Sequence, residues 1–310
     1  MNADLHPETD LGRTALRQQL QRLAGVVGLL VICFGWPLLR LIFFAAHSDL
    51  FSCILLVPFI SGYLIWTMRK TLDLQDIRPC WPGAVLGWVA GGAIIAGYWL
   101  GLRGGWQPPT QDYLTLMTLA FLCCFWGVCL AMLGTKLLSQ VLFPVAFLLF
   151  AVPIPTNWLA HIDTFFQYTS AATAEGFFNV VREPVLRSGL IIQLSSLSMR
   201  VAPECSGIHS TLVLLMTSFL AGYMFLPRTW SRAVLVLAVI PLAILRNGFR
   251  VFVLGWLGVH FFPHILDSAF HHHGGPIFFV LSLIPFFLLL VFLRKLDTRL
   301  SKVPKHQPSN

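Results

Sequence analysis

Charge is scarce in this sequence: only 11% of its 310 residues are Asp, Glu, Lys or Arg, where a water-soluble domain carries about 25%. With 56% hydrophobic residues beside that deficit, a soluble globular fold is excluded and the chain reads as an integral membrane protein. No stretch interleaves basic with aromatic residues in the manner of a nucleic-acid surface. The net charge of +8 therefore belongs to cytoplasmic loops, and no nucleic-acid partner is expected. Seven Cys is an odd count, and Cys33, Cys123, Cys124 and Cys129 lie within apolar runs as small hydrophobes, so no disulfide framework is implied. No small-residue cleavage site follows the first apolar run, which is expected to remain as a span. Internal repeats and low-complexity tracts are also lacking.

What is present is a series of apolar runs long enough to cross a hydrocarbon core, at about 24–46, 51–68, 83–102, 113–133, 137–154, 206–226, 232–258 and 276–294. With the N-terminus inside, the inner segments hold fourteen Lys and Arg and the outer segments four, namely Arg103, Arg182, Arg187 and Arg200. That asymmetry places both termini in the cytoplasm. The expected layout is a cytoplasmic tail over 1–23, a membrane domain over 24–295 and a second cytoplasmic tail over 296–310. The one long loop, about 155–205, falls outside. Its apolar residues from Trp158 to Val181, with Asp163, Gln167 and Glu175 between, read as an amphipathic helix in the outer interface. Ile192 to Val201 reads as a short strand pair feeding the next span. The fold class is thus an all-α polytopic membrane protein of about eight transmembrane helices, with an outer-interface helix and a small strand pair.

Chemistry concentrates where Val201-Ala202-Pro203-Glu204-Cys205-Ser206-Gly207-Ile208 meets the sixth span. The free N–H groups at a helix start favour negative charge, which lowers a thiol's pKa. A Cys in such a place is nonetheless more often a packing residue, so its partners decide. The seventh span carries Arg246-Asn247-Gly248-Phe249-Arg250. Two Arg within an apolar run snorkel, pair with an acid, or face a polar site. At spacing i, i+4 they share one face, and the direction of the span puts Arg250 at the depth of Cys205. The outer segment before the eighth span holds His271-His272-His273-Gly274-Gly275. Imidazole is the usual acid or base for thiol chemistry near neutral pH. A competing reading makes His260, His264, Asp267 and His271, at i, i+4, i+7 and i+11, a metal site. Pro263 breaks that helix, and the spans supply no carboxylate ladder for a transport path.

These residues together resemble the exosortase/archaeosortase family of polytopic membrane cysteine transpeptidases, over about residues 30–295. The resemblance is carried by Ala202 to Ile208, by Asn247-Gly248-Phe249-Arg250 as Asn-x-x-Arg, and by His271 with Gly275 and Phe279. Softer matches are Asp49 to Pro58 and Val152-Pro153-Ile154-Pro155. The departures are the two further His after His271 and Pro276 where the family often has an aromatic residue.

The resemblance implies that Cys205 is the nucleophile, Arg250 stabilises the transition state and His271 is the acid or base. Glu204, Ser206, Gly207, Arg246, Asn247, His272 and Gly275 would support the site or bind substrate. It implies exported substrates with a C-terminal sorting signal, such as PEP-CTERM, made of a short motif, a membrane helix and a basic tail. It further implies the bacterial inner membrane with the site on the periplasmic face, a link to envelope or exopolysaccharide export, and neither metal nor cofactor. Membrane lipid is the other expected partner. From other classes stand a His-rich transporter or metal-handling protein and a non-catalytic export assembly factor. The charge asymmetry makes the first testable statement. In intact cells a membrane-impermeant reagent is expected to label positions within 155–205 and to miss both termini; labelled termini would overturn the topology.

Overall fold

The computed structural model describes residues 7–72, 78–201, 207–261 and 275–301. They form two compact units, divided at Thr156. The first contains α1 (Pro7–Cys33), α2 (Gly35–Ala46), a 3-10 turn (Ser52–Leu56) leading into α3 (Val57–Met68), α4 (Trp81–Arg103), α5 (Thr110–Gln140) and α6 (Leu142–Phe147). The second contains α7 (Thr156–Val180), strands β1 (Val185–Ser188), β2 (Ile191–Leu194) and β3 (Ser198–Arg200), then α8 (Ile208–Phe225), α9 (Thr229–Leu237), α10 (Val239–His260) and α11 (Gly275–Ser301).

Five described helical stretches are long and apolar enough to cross a membrane: Trp81–Arg103, Thr110–Gln140, Ile208–Phe225, Thr229–His260 and Ile277–Leu300. Counting Gln21–Cys33 with Gly35–Ala46, and Leu142–Ala151 with Thr156–Val180, as one broken span each raises the number to seven. The remaining run expected from sequence, Ser52–Met68, is helical but shorter, below the roughly 20 residues a crossing needs. It accounts for the difference from eight. Exposed apolar side chains such as Val85, Leu86, Val89, Trp99 and Leu100 on α4 are what a lipid-facing helix presents.

In the first unit, proline decides where hydrogen bonds must be supplied from elsewhere. A 3-10 turn (Leu148–Ala151) follows α6, and Pro153 and Pro155, having no N–H, stop the helix there. The freed carbonyls are met by α5: Thr115 Oγ1 donates to Pro153 O at 2.9 Å and Gln111 Nε2 to Ile154 O at 2.6 Å. Ser61 of α3 likewise donates to Pro144 O at 2.7 Å. Such side-chain donors replace the water that lipid lacks.

In the second unit, the three strands form an antiparallel sheet in the order β1-β2-β3. The pair β2 and β3 answers to the strand pair read from sequence; β1 is an addition, only four residues long. Ile192 pairs with Met199, and both point inward while their neighbours along each strand are exposed, the period of two that a half-buried sheet requires. Their inner face packs on Ala171, Ala174 and Phe178 of α7 and Val251 of α10. Arg187 of β1 donates through Nε to Glu175 of α7 at 2.6 Å. A second core joins α8, α9, α10 and α11 through Leu214, Leu235, Val239, Phe286 and Leu290. Ser231 of α9 donates to the buried Asp297 of α11 at 2.7 Å.

The second half of α7, the helix that the sequence reads as amphipathic, runs beside α10 in the same direction: Ser170 meets Asn247, Thr173 meets Gly248 and Phe178 meets Phe252 and Gly255. Small residues allow that approach. Phe178 has no exposed surface and joins α7, the sheet and α10. Phe178→Ala is expected to destabilise the protein by about 3 to 5 kcal/mol, read as a lower unfolding midpoint in detergent; an unchanged midpoint would contradict this packing.

Candidate active site

The site is built from the start of α8 and the middle of α10. Gly207 precedes α8 in a left-handed conformation, φ 70° and ψ 17°. Having no side chain, it supplies no cap for the helix. A Cβ there would lie 2.8 Å from Arg246 Nη2 and 3.0 Å from Asn247 Oδ1, so both its dihedrals and its surroundings require glycine.

Its carbonyl accepts three hydrogen bonds, from Thr211 N at 3.0 Å, Thr211 Oγ1 at 2.8 Å and Arg246 Nη2 at 2.9 Å. Arg246 Nη2 also lies 3.4 Å from Thr211 Oγ1. The Arg246 side chain neither snorkels, being only 8% exposed, nor finds a carboxylate among the described residues. Its partners there are neutral oxygens. Its Nη1 is buried with no acceptor among the described residues.

Three consecutive residues of α10 thus make three different contacts. Arg246 holds the start of α8. Asn247, 1% exposed, donates through Nδ2 to Ser170 Oγ of α7 at 2.9 Å. Gly248 is where α7 comes closest, since a Cβ would sit 2.5 Å from Thr173 Cβ. Residues one apart on a helix point about 100° from each other, so the run can face several neighbours at once. Arg250 is half-buried, one turn further along.

The level of this node follows from helix lengths. The 18 residues of α8 rise about 27 Å, close to the roughly 30 Å of a hydrocarbon core. The last fourteen residues of α10 rise about 21 Å beyond Arg246. Arg246 stands level with the start of α8, as its bond to the Gly207 carbonyl shows; Cys205, to which the sequence matched Arg250 in depth, lies outside the described residues. Arg250 is about 6 Å further out.

Cys205, Glu204, Ser206, His271, His272 and His273 lie outside the described residues. What can be placed is what adjoins them. Gly207 follows the Cys segment, and Gly275 opens α11 directly after the His segment. Three residues on, Phe278 meets Phe249 edge-on with ring centroids 6.3 Å apart. A mostly apolar cavity of about 200 Å³ lies here, lined by Phe177, Leu245, Arg246, Phe249, Phe278 and Leu281 among others. Of the competing metal set only His260 is described. Its Nε2 is 3.7 Å from Glu183 Oε2 and its ring stacks on Trp256. No group of three His, Cys, Asp or Glu among the described residues is arranged to hold a metal.

Thr211, Ser170 and Thr173 were not foreseen. The run Ser170-Ala171-Ala172-Thr173-Ala174 does carry a signal, since small residues in succession on a helix mark close packing.

Fold and site define a polytopic membrane protein with a polar node buried between α8 and α10. Compared with known families, the chain matches the transmembrane exosortase family over residues 45–288, and it belongs to that family. No curated protein and no solved structure matches it.

The contact at Gly248 gives a direct test. Gly248→Ala is expected to destabilise the protein by about 1 to 3 kcal/mol through overpacking against Thr173. A melting experiment showing wild-type stability would mean that α7 does not approach α10 there.

Proposed function

We propose that this membrane protein is a cysteine peptidase and transpeptidase. It would cleave a C-terminal sorting signal of exported proteins on the periplasmic face of a bacterial inner membrane, as part of envelope or exopolysaccharide export. One observation carries the reading. Three motif-bearing segments far apart in sequence adjoin one place: Gly207 after the Cys segment, Arg246 to Arg250 on α10, and Phe278 just after the His segment. Such convergence is what acyl transfer by a thiol needs, and membership of the exosortase family supports it.

In this reading Cys205 Sγ, as thiolate, attacks the scissile carbonyl carbon. The carbonyl oxygen takes the negative charge and accepts hydrogen bonds from the Arg250 guanidinium. The carbon–nitrogen bond breaks as His271 gives its proton to the leaving amine, which departs with the substrate's membrane helix and basic tail. The thioester on Cys205 is then taken by an acceptor amine or by water, which returns the thiol. The cavity beside Phe249 and Phe278 is mostly apolar, and charges act more strongly in apolar surroundings than in water. Glu204, Ser206, Asn247, His272 and Gly275 are assigned to support or substrate contact. The tails over 1–23 and 296–310 are assigned to the cytoplasm.

The test is accumulation of uncleaved substrate in folded variants. Cys205→Ala is expected to lower cleavage by about three orders of magnitude or more. Arg250→Lys is expected to lower it by about 100-fold, because a point charge cannot reproduce the planar fork. His271→Ala is expected to stop turnover while His272→Ala and His273→Ala keep a good part of it. Full activity in Arg250→Lys and His271→Ala, with inhibition by a chelator, would replace this reading with the metal site.

A further inference from the structure

We infer that Arg246 is a positioning residue, whose guanidinium fixes the Gly207 carbonyl and so the left-handed turn through which the Cys205 segment enters α8. The inference rests on Cys205 being the nucleophile of the proposed function.

A helix start is ordinarily capped by its own side chain, and glycine has none to offer. Here the donors come instead from Thr211, one turn into α8, and from Arg246 on another helix. A carbonyl has two lone pairs, and the Thr211 N–H already provides the ordinary helical bond. The two further donors are additional restraint on a single oxygen. Charge-assisted bonds are also roughly twice as strong as neutral ones.

The expense of the arrangement points the same way. Burying a guanidinium is costly unless it is well paired. Among the described residues Arg246 has only the neutral Gly207 and Thr211 oxygens. General packing does not call for a cation here. What lies at the far end of its hydrogen bond does: by chain length alone the Cα of Cys205 is within about 7.6 Å of that of Gly207. Held by Thr211 and Arg246, the Gly207 carbonyl fixes the conformation of Gly207 itself, the residue through which the Cys205 segment joins α8. Arg250, one turn further out, remains the residue assigned to the transition state.

The account predicts unequal tolerance of the two Arg. Lys at 246 can still donate to the Gly207 carbonyl, whereas Met cannot. Two readouts are needed, both on the full-length protein in membranes. The first is cleavage of an exported protein bearing the C-terminal motif, membrane helix and basic tail. The second is the rate at which iodoacetamide alkylates Cys205 when the six other Cys are replaced.

In folded Arg246→Met, turnover at saturating substrate is expected to fall about 10- to 100-fold, with the half-saturating concentration little changed. Alkylation of Cys205 should change in rate, and Arg246→Lys should recover most of both. Thr211→Val should show a smaller effect of the same kind and serves if Arg246→Met does not fold. The double variant should be less damaged than the sum of the two, because both act through one oxygen. Wild-type turnover and alkylation in Arg246→Met or Thr211→Val, or no recovery by Lys, would overturn the inference. Failure of the proposed function is distinguishable: cleavage would then survive Cys205→Ala, while the alkylation rates would still report whether Arg246 governs this segment.

Discussion

A guanidinium buried among helices has to be met by oxygen, and at Arg246 that oxygen is the carbonyl of a glycine at the start of another helix. Much of the second unit is consistent with this one requirement. If Arg246 is to reach Gly207, the starts of α8 and the middle of α10 must lie at one level. If Gly207 is to sit against Arg246 and Asn247, whose polar atoms would lie 2.8 and 3.0 Å from a Cβ there, it can carry no side chain. Its left-handed backbone then comes at little steric cost.

The neighbouring contacts serve the same end by different physics. Asn247 spends its amide on Ser170, and Gly248 admits Thr173, so α7 lies close against the face of α10 that follows the polar pair. Beyond it, the aromatic group of Phe177, Phe178, Phe249 and Phe252 fills the space, Phe177 meeting Phe249 and Phe178 meeting Phe252 edge to face while Phe177 and Phe252 are tilted. The sheet closes this packing through Ile192, Met199 and Val201. Val201 is the last described residue before the Cys segment and Gly207 the first after it. Both are fixed, one by apolar burial and the other by hydrogen bonds.

Helices and their apolar extent were legible because a membrane allows few alternatives: backbone polar groups must bond internally, so long apolar runs become helices. The strand pair ahead of Cys205 was legible from its alternation, whereas β1 was not. With Val185-Leu186-Arg187-Ser188 it is too short to show a period. The polar run on α10 stood out because Arg is rare in such a setting. Which Arg bonds Gly207 did not, since residues at i and i+4 share a face and only the packed position of α10 separates them. The hydroxyls of Ser170, Thr173 and Thr211 also escaped notice. On a helix such residues more often bond back to their own turn, as Thr173 does to Thr169 and Thr211 to Gly207.

The central claim is that these converging segments serve a thiol that forms an acyl bond with its substrate. The most direct measurement is the intact mass of the enzyme after brief exposure to a sorting-signal substrate, followed by mapping of any adduct. The account predicts an added mass equal to the N-terminal part of the cleaved substrate, carried on the peptide containing Cys205 and released by hydroxylamine. Cleavage with no adduct on that peptide under any quench, or an adduct on a different residue, would contradict it.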